Sequence, residues 1–165
     1  MQNKDLIVKP LEKQDYQDFT DMFCEYFKKD LKSGLIDEDI INNIVNPLVL
    51  PQLEKGILFI DLLFINKLAK GFIIYQIDSK QSDWNKREGH GFIREFYINN
   101  SERRTGLGTT LLNHAENKLY SLGVKNIYLT CADKEYVEDF YFKNGYKNEN
   151  VLCKQNNLEY FSKEL

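Results

Sequence analysis

The stretch FIREFYINNSERRTGLGTTLLNHAENKL, residues 92–119, joins a strand-like run to a helix-like run through a short polar loop. Its first part is rich in aromatic and aliphatic residues, which favours a β-strand. From Leu107 the apolar residues recur at helical spacing, which predicts a helix of about four turns with Gly123 as its C-terminal cap. Gly106 and Gly108 lie at the boundary between the loop and that helix. The stretch therefore predicts a strand–loop–helix unit with glycines at the helix N-terminus.

This loop has the chemistry of a phosphate-binding site. The first N–H groups of a helix lack internal partners, and the helix dipole makes that end positive. Glycines let phosphate oxygens approach the backbone closely, and Arg103 and Arg104 add positive charge beside it. A Walker A loop would need a Gly-Lys-Ser/Thr ending, and a dinucleotide fingerprint would need a third glycine; both are absent. The loop therefore predicts a phosphate cradle, most naturally for a pyrophosphate.

The rest of the chain predicts a mixed α/β fold. The expected order is a strand, two helices, three strands, a helix, a strand, a helix and two final strands. The first strand should end near Pro10 and the second helix at Pro47, and residues 79–88 should form an exposed loop around Trp84. The strand–helix–strand unit around residues 90–130 should be a right-handed crossover that joins parallel strands. The other strands should pair antiparallel, which gives a mostly antiparallel sheet of about six or seven strands flanked by about four helices.

Size and composition limit the function classes. The 165 residues, 42% of them apolar, suit one domain over residues 1–165. The net charge of −3, with basic and acidic residues well mixed, argues against a nucleic-acid-binding domain built around Arg103 and Arg104. No apolar run approaches the roughly 20 residues of a membrane-spanning helix, so no membrane association is expected.

The cysteines and histidines indicate a cytoplasmic protein without a metal. Cys24, Cys131 and Cys153 are odd in number, far apart and in apolar contexts, which predicts buried free thiols in a reducing compartment. Residues 1–10 lack the long apolar block of a secretory signal. No pair of cysteines or histidines has the spacing of metal ligands, so no metal site is predicted.

Two motifs carry a resemblance to a known family. Residues 92–119 resemble the signature of the GNAT acetyltransferase superfamily, a strand ending in an aliphatic residue, a loop, and Arg/Gln-x-x-Gly-x-Gly/Ala opening a long helix. The matching positions are Ile98, Arg103, Gly106 and Gly108. Residues 139–146, DFYFKNGY, resemble a second block of the family. Its matching positions are Phe140, Tyr141, Gly145 and Tyr146. The predicted element order agrees with the family over nearly the whole chain, and no subfamily is indicated.

The resemblance implies acetyl-CoA as co-substrate. In this family it lies between two parallel strands that splay apart, here the strand ending at Ile98 and the one at residues 126–130. Main-chain groups of Phe96, Tyr97 and Ile98 would pair with the pantetheine amides. The pyrophosphate would be held by the loop, whose expected binding residues are Arg103, Arg104, Thr105, Gly106, Leu107, Gly108 and Thr109.

The resemblance also implies an N-acetyltransferase in which a primary amine attacks the thioester directly. Tyr141 matches the family tyrosine that commonly protonates the departing thiolate. The general base is open between Glu95, His90 and a water relay. Arg94 stands where the family often has a glutamate, and strand alternation turns Arg94 and Glu95 to opposite faces unless a β-bulge intervenes.

Several properties stay open at this point. The acceptor is a small-molecule amine or a protein amine, and acyl groups other than acetyl are also compatible with the motifs. A homodimer is a common arrangement in the family. Because Arg94 replaces a family acid, a non-catalytic acyl-CoA-binding module with the same fold is the alternative interpretation.

Overall fold

The computed structural model describes residues 4–84 and 86–165. Residues 1–3, part of the N-terminal stretch interpreted above, and Asn85, part of the predicted exposed loop, lie outside the described residues. The strands and helices follow one another in the predicted order. They are β1 (Leu6–Pro10), α1 (Tyr16–Glu25, continued by a π-helical segment Tyr26–Asp30), α2 (Asp37–Ile40, then π-helical Ile41–Val49, then Leu50–Glu54), β2 (Phe59–Ile65), β3 (Leu68–Ile77), β4 (Gly91–Ile98), α3 (Leu107–Ser121), β5 (Asn126–Cys131), α4 (Glu135–Lys143), β6 (Lys147–Leu152) and β7 (Glu159–Glu164).

The strands form one mixed sheet in the order β1-β2-β3-β4-β5-β7-β6. The pair β4–β5 is parallel, as the crossover predicts, and β1–β2, β5–β7 and β6–β7 are antiparallel. With seven strands, one parallel pair among these and four helices, the predicted fold class is confirmed.

The predicted end of α2 is wrong. The helix does not stop at Pro47 but continues through it to Glu54. A proline inside an α-helix removes a hydrogen bond and clashes with the preceding turn. Here Pro47 lies in the π-helical segment, whose wider turn relieves that clash. Ile40 and Val45 are fully buried, so packing against the core holds the helix together across the proline.

By contacts the chain divides into two compact units, and the first comprises Met1–Ile74 and Glu95–Leu112. Its core joins α1 and α2 to β2, β3 and the end of β4. Aromatic side chains dominate this core. Phe19, Phe23 and Tyr26 recur at helical spacing, which predicts an amphipathic helix with an aromatic core face, and all three are buried. Phe19 is fully buried and meets Phe72 edge to face with ring centroids 5.3 Å apart.

The second unit comprises Tyr75–Arg94 and Asn113–Leu165. Phe92 stacks on Tyr128 with ring centroids 4.8 Å apart, and Cys153 and Tyr160 complete this cluster. At the start of β4, a Cβ on Gly91 would lie 2.8 Å from the Leu119 side chain of α3. Glycine at that position therefore permits the close approach of helix and strand.

The three cysteines are buried and free, as predicted. Across residues 4–84 and 86–165, none of the helices combines the length and the apolar character needed to cross a lipid bilayer.

Candidate functional site

The predicted phosphate loop is open at the start of α3. Gly106 immediately precedes Leu107, the first helical residue, and has φ +87°, a conformation that favours glycine. No atom lies within 4 Å of the point where a Cβ on Gly106 would stand. The Gly106 carbonyl accepts a bond from the Thr110 N–H at 3.1 Å, which closes the first turn. By helix geometry the amides of Leu107, Gly108 and Thr109 precede the first internal donor and face outward.

The two loop arginines have different surroundings. Arg103 donates from Nε to the Ile98 carbonyl at 2.8 Å and from a terminal nitrogen to an Asp30 carboxylate oxygen at 2.7 Å. Its guanidinium carbon lies 5.6 Å from the centre of the Tyr97 ring. Arg104 is exposed. The structure thus places Arg103 as a tether between the loop, the end of β4 and the segment after α1, while Arg104 faces solvent.

The parallel contact between β4 and β5 is short. Two Cα pairs form the ladder, Gly91 with Ile127 and Phe92 with Tyr128. Over the described residues β4 then continues to Ile98 and β5 to Cys131 without further ladder pairs. The ladder therefore involves the first two residues of β4 and residues 127 and 128 of β5.

The predicted pantetheine-binding strand residues are largely buried. Phe96 is half-buried, and Tyr97 and Ile98 are buried. The Tyr97 hydroxyl is buried and lies near the carboxylate of Glu25. Burial, assisted by the nearby carboxylates of Glu25 and Asp30, raises the pKa of Tyr97 to about 12. The phenol is therefore neutral at physiological pH.

The candidate base Glu95 has a hydrogen-bond partner in Tyr26, a buried aromatic residue of the segment that continues α1. The Tyr26 hydroxyl donates to a Glu95 carboxylate oxygen at 2.5 Å. Glu95 and Tyr97 share one face of β4, and the Tyr97 ring meets the Tyr26 ring edge to face at 6.1 Å. Arg94 instead donates to Gln76 at 3.0 Å and to Asp83 at 3.4 Å. The contacts of Arg94 and Glu95 thus follow strand alternation.

The other catalytic candidates, Tyr141 and His90, belong to the second unit. Tyr141 lies on α4, is 7% exposed, and meets the Tyr146 ring edge to face at 5.4 Å. The Tyr146 hydroxyl donates to Glu116 at 2.8 Å, and burial with this carboxylate raises the pKa of Tyr146 well above its ordinary value. The His90 ring stands 6.4 Å from the Tyr128 ring, and its backbone carbonyl accepts from the Asp78 N–H.

Within the described ranges, His, Cys, Asp and Glu side chains do not form a group of three or more that could hold a metal ion. The polar groups of the candidate site are main-chain amides, arginines, carboxylates and tyrosine hydroxyls.

The sheet is mixed, the parallel strand pair β4–β5 is short, and α3 begins directly after the exposed Gly106. These features are typical of acetyltransferases with the GNAT fold. The sequence matches the model of the acetyltransferase (GNAT) family over residues 16–146. The chain therefore belongs to the GNAT family. Among curated proteins, none matches this sequence.

Solved structures share this fold at low sequence identity. The PaiA N-acetyltransferase of Thermoplasma acidophilum, in complex with coenzyme A, has a TM-score of 0.77 and 16% identity, with 98% of this chain and 99% of that chain covered. A GNAT acetyltransferase of Listeria monocytogenes has a TM-score of 0.70 and 18% identity, covering 99% and 100%. An acetyltransferase of Thermus thermophilus has a TM-score of 0.71 and 17% identity, covering 97% of each chain.

Proposed function

We propose that this protein is an N-acetyltransferase that moves an acetyl group from acetyl-CoA to a primary amine. The observation that carries the proposal is the open start of α3, where Gly106 has φ +87° and a Cβ built on it would meet no atom within 4 Å beyond its chain neighbours. Outward amides at a helix N-terminus favour a phosphate group. The similar fold of the PaiA N-acetyltransferase, which was solved with coenzyme A, supports the choice of co-substrate.

In this proposal the loop and the end of β4 bind the co-substrate mainly through main-chain groups. Phe96, Tyr97 and Ile98 pair with the pantetheine amides. The pyrophosphate is held by the segment Arg103, Arg104, Thr105, Gly106, Leu107, Gly108 and Thr109. Arg103 contributes by fixing the loop through Asp30 and Ile98, and the exposed Arg104 supplies charge to the phosphates.

The reaction requires a base that removes a proton from the amine and an acid that protonates the departing thiolate. A lysine-like amine has a pKa near 10 and is protonated at neutral pH, so a base must deprotonate it before attack. We assign that role to Glu95, with His90 and a water relay as the alternatives. The amine nitrogen then bonds to the thioester carbonyl carbon, the carbon–sulfur bond breaks, and Tyr141 protonates the departing thiolate.

The remaining features of the proposal concern the whole chain. Residues 1–165 form one GNAT domain, the acceptor is a small-molecule amine or a protein amine, and a homodimer is the expected assembly. The three buried free thiols support a cytoplasmic location, because a reducing compartment keeps such cysteines unpaired.

The first test measures co-substrate binding by thermal unfolding. Acetyl-CoA at 100 times its Kd should stabilise the protein by about 2.7 kcal/mol, which raises the Tm by several degrees. Gly108→Glu should abolish the shift, because a carboxylate at the loop repels and blocks the phosphates. Asn117→Glu is the matched control, since it adds the same charge at an exposed position of α3 and should keep the shift.

Thiol release in the presence of a panel of amines then identifies the acceptor. A protein that binds acetyl-CoA but releases no CoA with any amine would be the non-catalytic module instead. The absence of a Tm shift at millimolar acetyl-CoA would contradict the proposed function altogether.

A further inference from the structure

We propose that Tyr26 is a positioning residue for the general base, acting through its hydrogen bond to Glu95. The inference rests on the proposed function, because it gives Glu95 its role. No motif in the sequence distinguishes Tyr26 from the other aromatic residues of α1, and its helical spacing predicts only a core position. The structure adds a polar contact at 2.5 Å between two groups that lie 69 residues apart in the sequence.

The Tyr26 ring has little freedom to move. It is 9% exposed and meets Phe72 edge to face at 5.8 Å and Tyr97 at 6.1 Å. Phe23 and Phe27 contact it from its own helix. Because neighbouring rings pack against the Tyr26 ring, they restrict the position of its hydroxyl group. The Glu95 carboxylate that accepts from it is therefore held in one orientation.

The segment that carries Tyr26 is attached at two places, to β4 through Tyr26 and to the loop after β4 through Asp30. Tyr26 and Asp30 are the first and last residues of the π-helical continuation of α1. Tyr26 reaches Glu95, and Asp30 reaches Arg103, which in turn donates to the Ile98 carbonyl. π-Helical turns within α-helices occur frequently at functional sites. The two attachments fix the base and the start of the phosphate loop from the same short segment.

The hydrogen bond has a defined effect on proton transfer. An ionised carboxylate only accepts hydrogen bonds, so the phenol must be the donor. A donor stabilises the charged form and so keeps the base ionised at lower pH. Among titratable groups, Tyr97 of β4 contacts the Tyr26 ring. Glu25, Asp30 and Arg103 act on Tyr97 electrostatically, and Lys29 pairs with Glu25.

The test is the pH dependence of kcat for Tyr26→Phe. Phenylalanine keeps the packed ring and removes only the hydroxyl. We expect the acid limb of the profile to move to higher pH by about one unit, since the lost hydrogen bond no longer favours the ionised carboxylate. At a pH on the acid limb, below the pKa of the base, kcat should fall about tenfold, and the KM for acetyl-CoA should stay unchanged. Tyr16→Phe, on the same helix and half-buried, should reproduce the wild-type profile.

Two further variants separate the possible outcomes. Glu95→Gln should remove the acid limb, and adding Tyr26→Phe to it should change nothing more. Asp30→Asn should raise the KM for acetyl-CoA and leave the acid limb in place, because it releases only the loop attachment. A wild-type profile in Tyr26→Phe would overturn the inference. A wild-type profile in Glu95→Gln would also overturn it, while continued acetyl transfer would leave the proposed function standing.

Discussion

Arg103 and Arg104 are adjacent in the sequence, but the guanidinium of Arg103 is hydrogen-bonded within the protein and that of Arg104 is exposed. Arg103 donates its hydrogen bonds to Asp30 and to the Ile98 carbonyl. Arg104 has φ +62°, a left-handed conformation that costs a residue with a Cβ about 1 kcal/mol or more. Such a conformation at the mouth of a candidate site is typical of a functional constraint. Of these two adjacent arginines, Arg103 holds the loop, whereas the side chain of Arg104 is exposed.

At the scale of a single residue, Tyr141 offers a sharp test of the acid role. Tyr141→Phe should lower kcat by roughly 100-fold, because a positioned general acid commonly contributes that much. The ring contacts with Tyr146 and Phe161 are kept, so acetyl-CoA should raise the Tm as it does in the wild type. Steady-state thiol release and thermal unfolding with acetyl-CoA measure the two effects separately.

Tyr136→Phe is the control for this substitution. Tyr136 lies on the same helix and is 58% exposed, so loss of its hydroxyl should leave both kcat and the Tm shift unaltered. Equal rates for Tyr141→Phe and the wild type would remove Tyr141 from catalysis and leave it a packing residue.

At the scale of elements, the sequence predicts a strand or helix well where the residues of that element alone determine its structure. Periodicity predicted the seven strands and four helices labelled above, with the start of α3 at Leu107, and the crossover rule predicted the parallel β4–β5 pair. The end of α2 was predicted wrongly, because the rule that proline stops a helix ignores a π-helical turn that accommodates Pro47. Periodicity counts only neighbours along the chain, so it does not detect a wider turn that is stabilised by the burial of Val45.

The candidate site was predictable only in part, for a related reason. The loop glycines are recognisable in the sequence because a helix N-terminus is a local feature. The partner of Arg103 is Asp30, 73 residues earlier, and the partner of Glu95 is Tyr26, 69 residues earlier. An aromatic residue that only packs in the core and a tyrosine whose hydroxyl also donates a hydrogen bond occur at the same helical spacing. Three-dimensional contact alone tells them apart.

Arg87 connects the segment between β3 and β4 to the strands β5, β6 and β7. Arg87 lies between the rings of Tyr128 and Tyr160, at 4.4 and 4.5 Å from their centres, and binds both Glu149 oxygens at 2.8 and 2.9 Å. This guanidinium holds the pKa of Glu149 below its usual range. A carboxyl with a lowered folded-state pKa stabilises the fold above its unfolded pKa and loses that contribution as pH falls through the folded value.

Arg87→Lys should therefore destabilise the protein at pH 7 by about 1 kcal/mol, since lysine keeps the charge but loses the bidentate and stacked geometry. The loss should shrink as the pH is lowered towards the pKa of Glu149, which urea unfolding between pH 7 and pH 3 measures. Lys29→Arg, in the exposed i,i+4 pair with Glu25, should change stability by less than about 0.5 kcal/mol. A pH-independent loss for Arg87→Lys would assign its effect to stacking alone.

At the scale of the whole molecule, the reactivity of the buried thiols measures how easily each compact unit opens. Cys24 lies in the first unit, and Cys131 and Cys153 lie in the second. Burial raises the pKa of Cys24, and it raises that of Cys131 to about 12. Because the thiolate is the reactive form, these two thiols react only after the structure around them opens.

If residues 1–165 unfold as one domain, all three thiols should become reactive through the same opening. Labelling with a thiol reagent in low denaturant, followed by mass spectrometry of the peptides, gives a free energy of opening for each cysteine. One cooperative domain predicts equal values for Cys24, Cys131 and Cys153, each equal to the global free energy of unfolding. Acetyl-CoA at 100 times its Kd should raise all three by about 2.7 kcal/mol. Labelling of Cys131 and Cys153 at a lower free energy than Cys24 would show that the second unit opens by itself, and the single-domain proposal would be wrong.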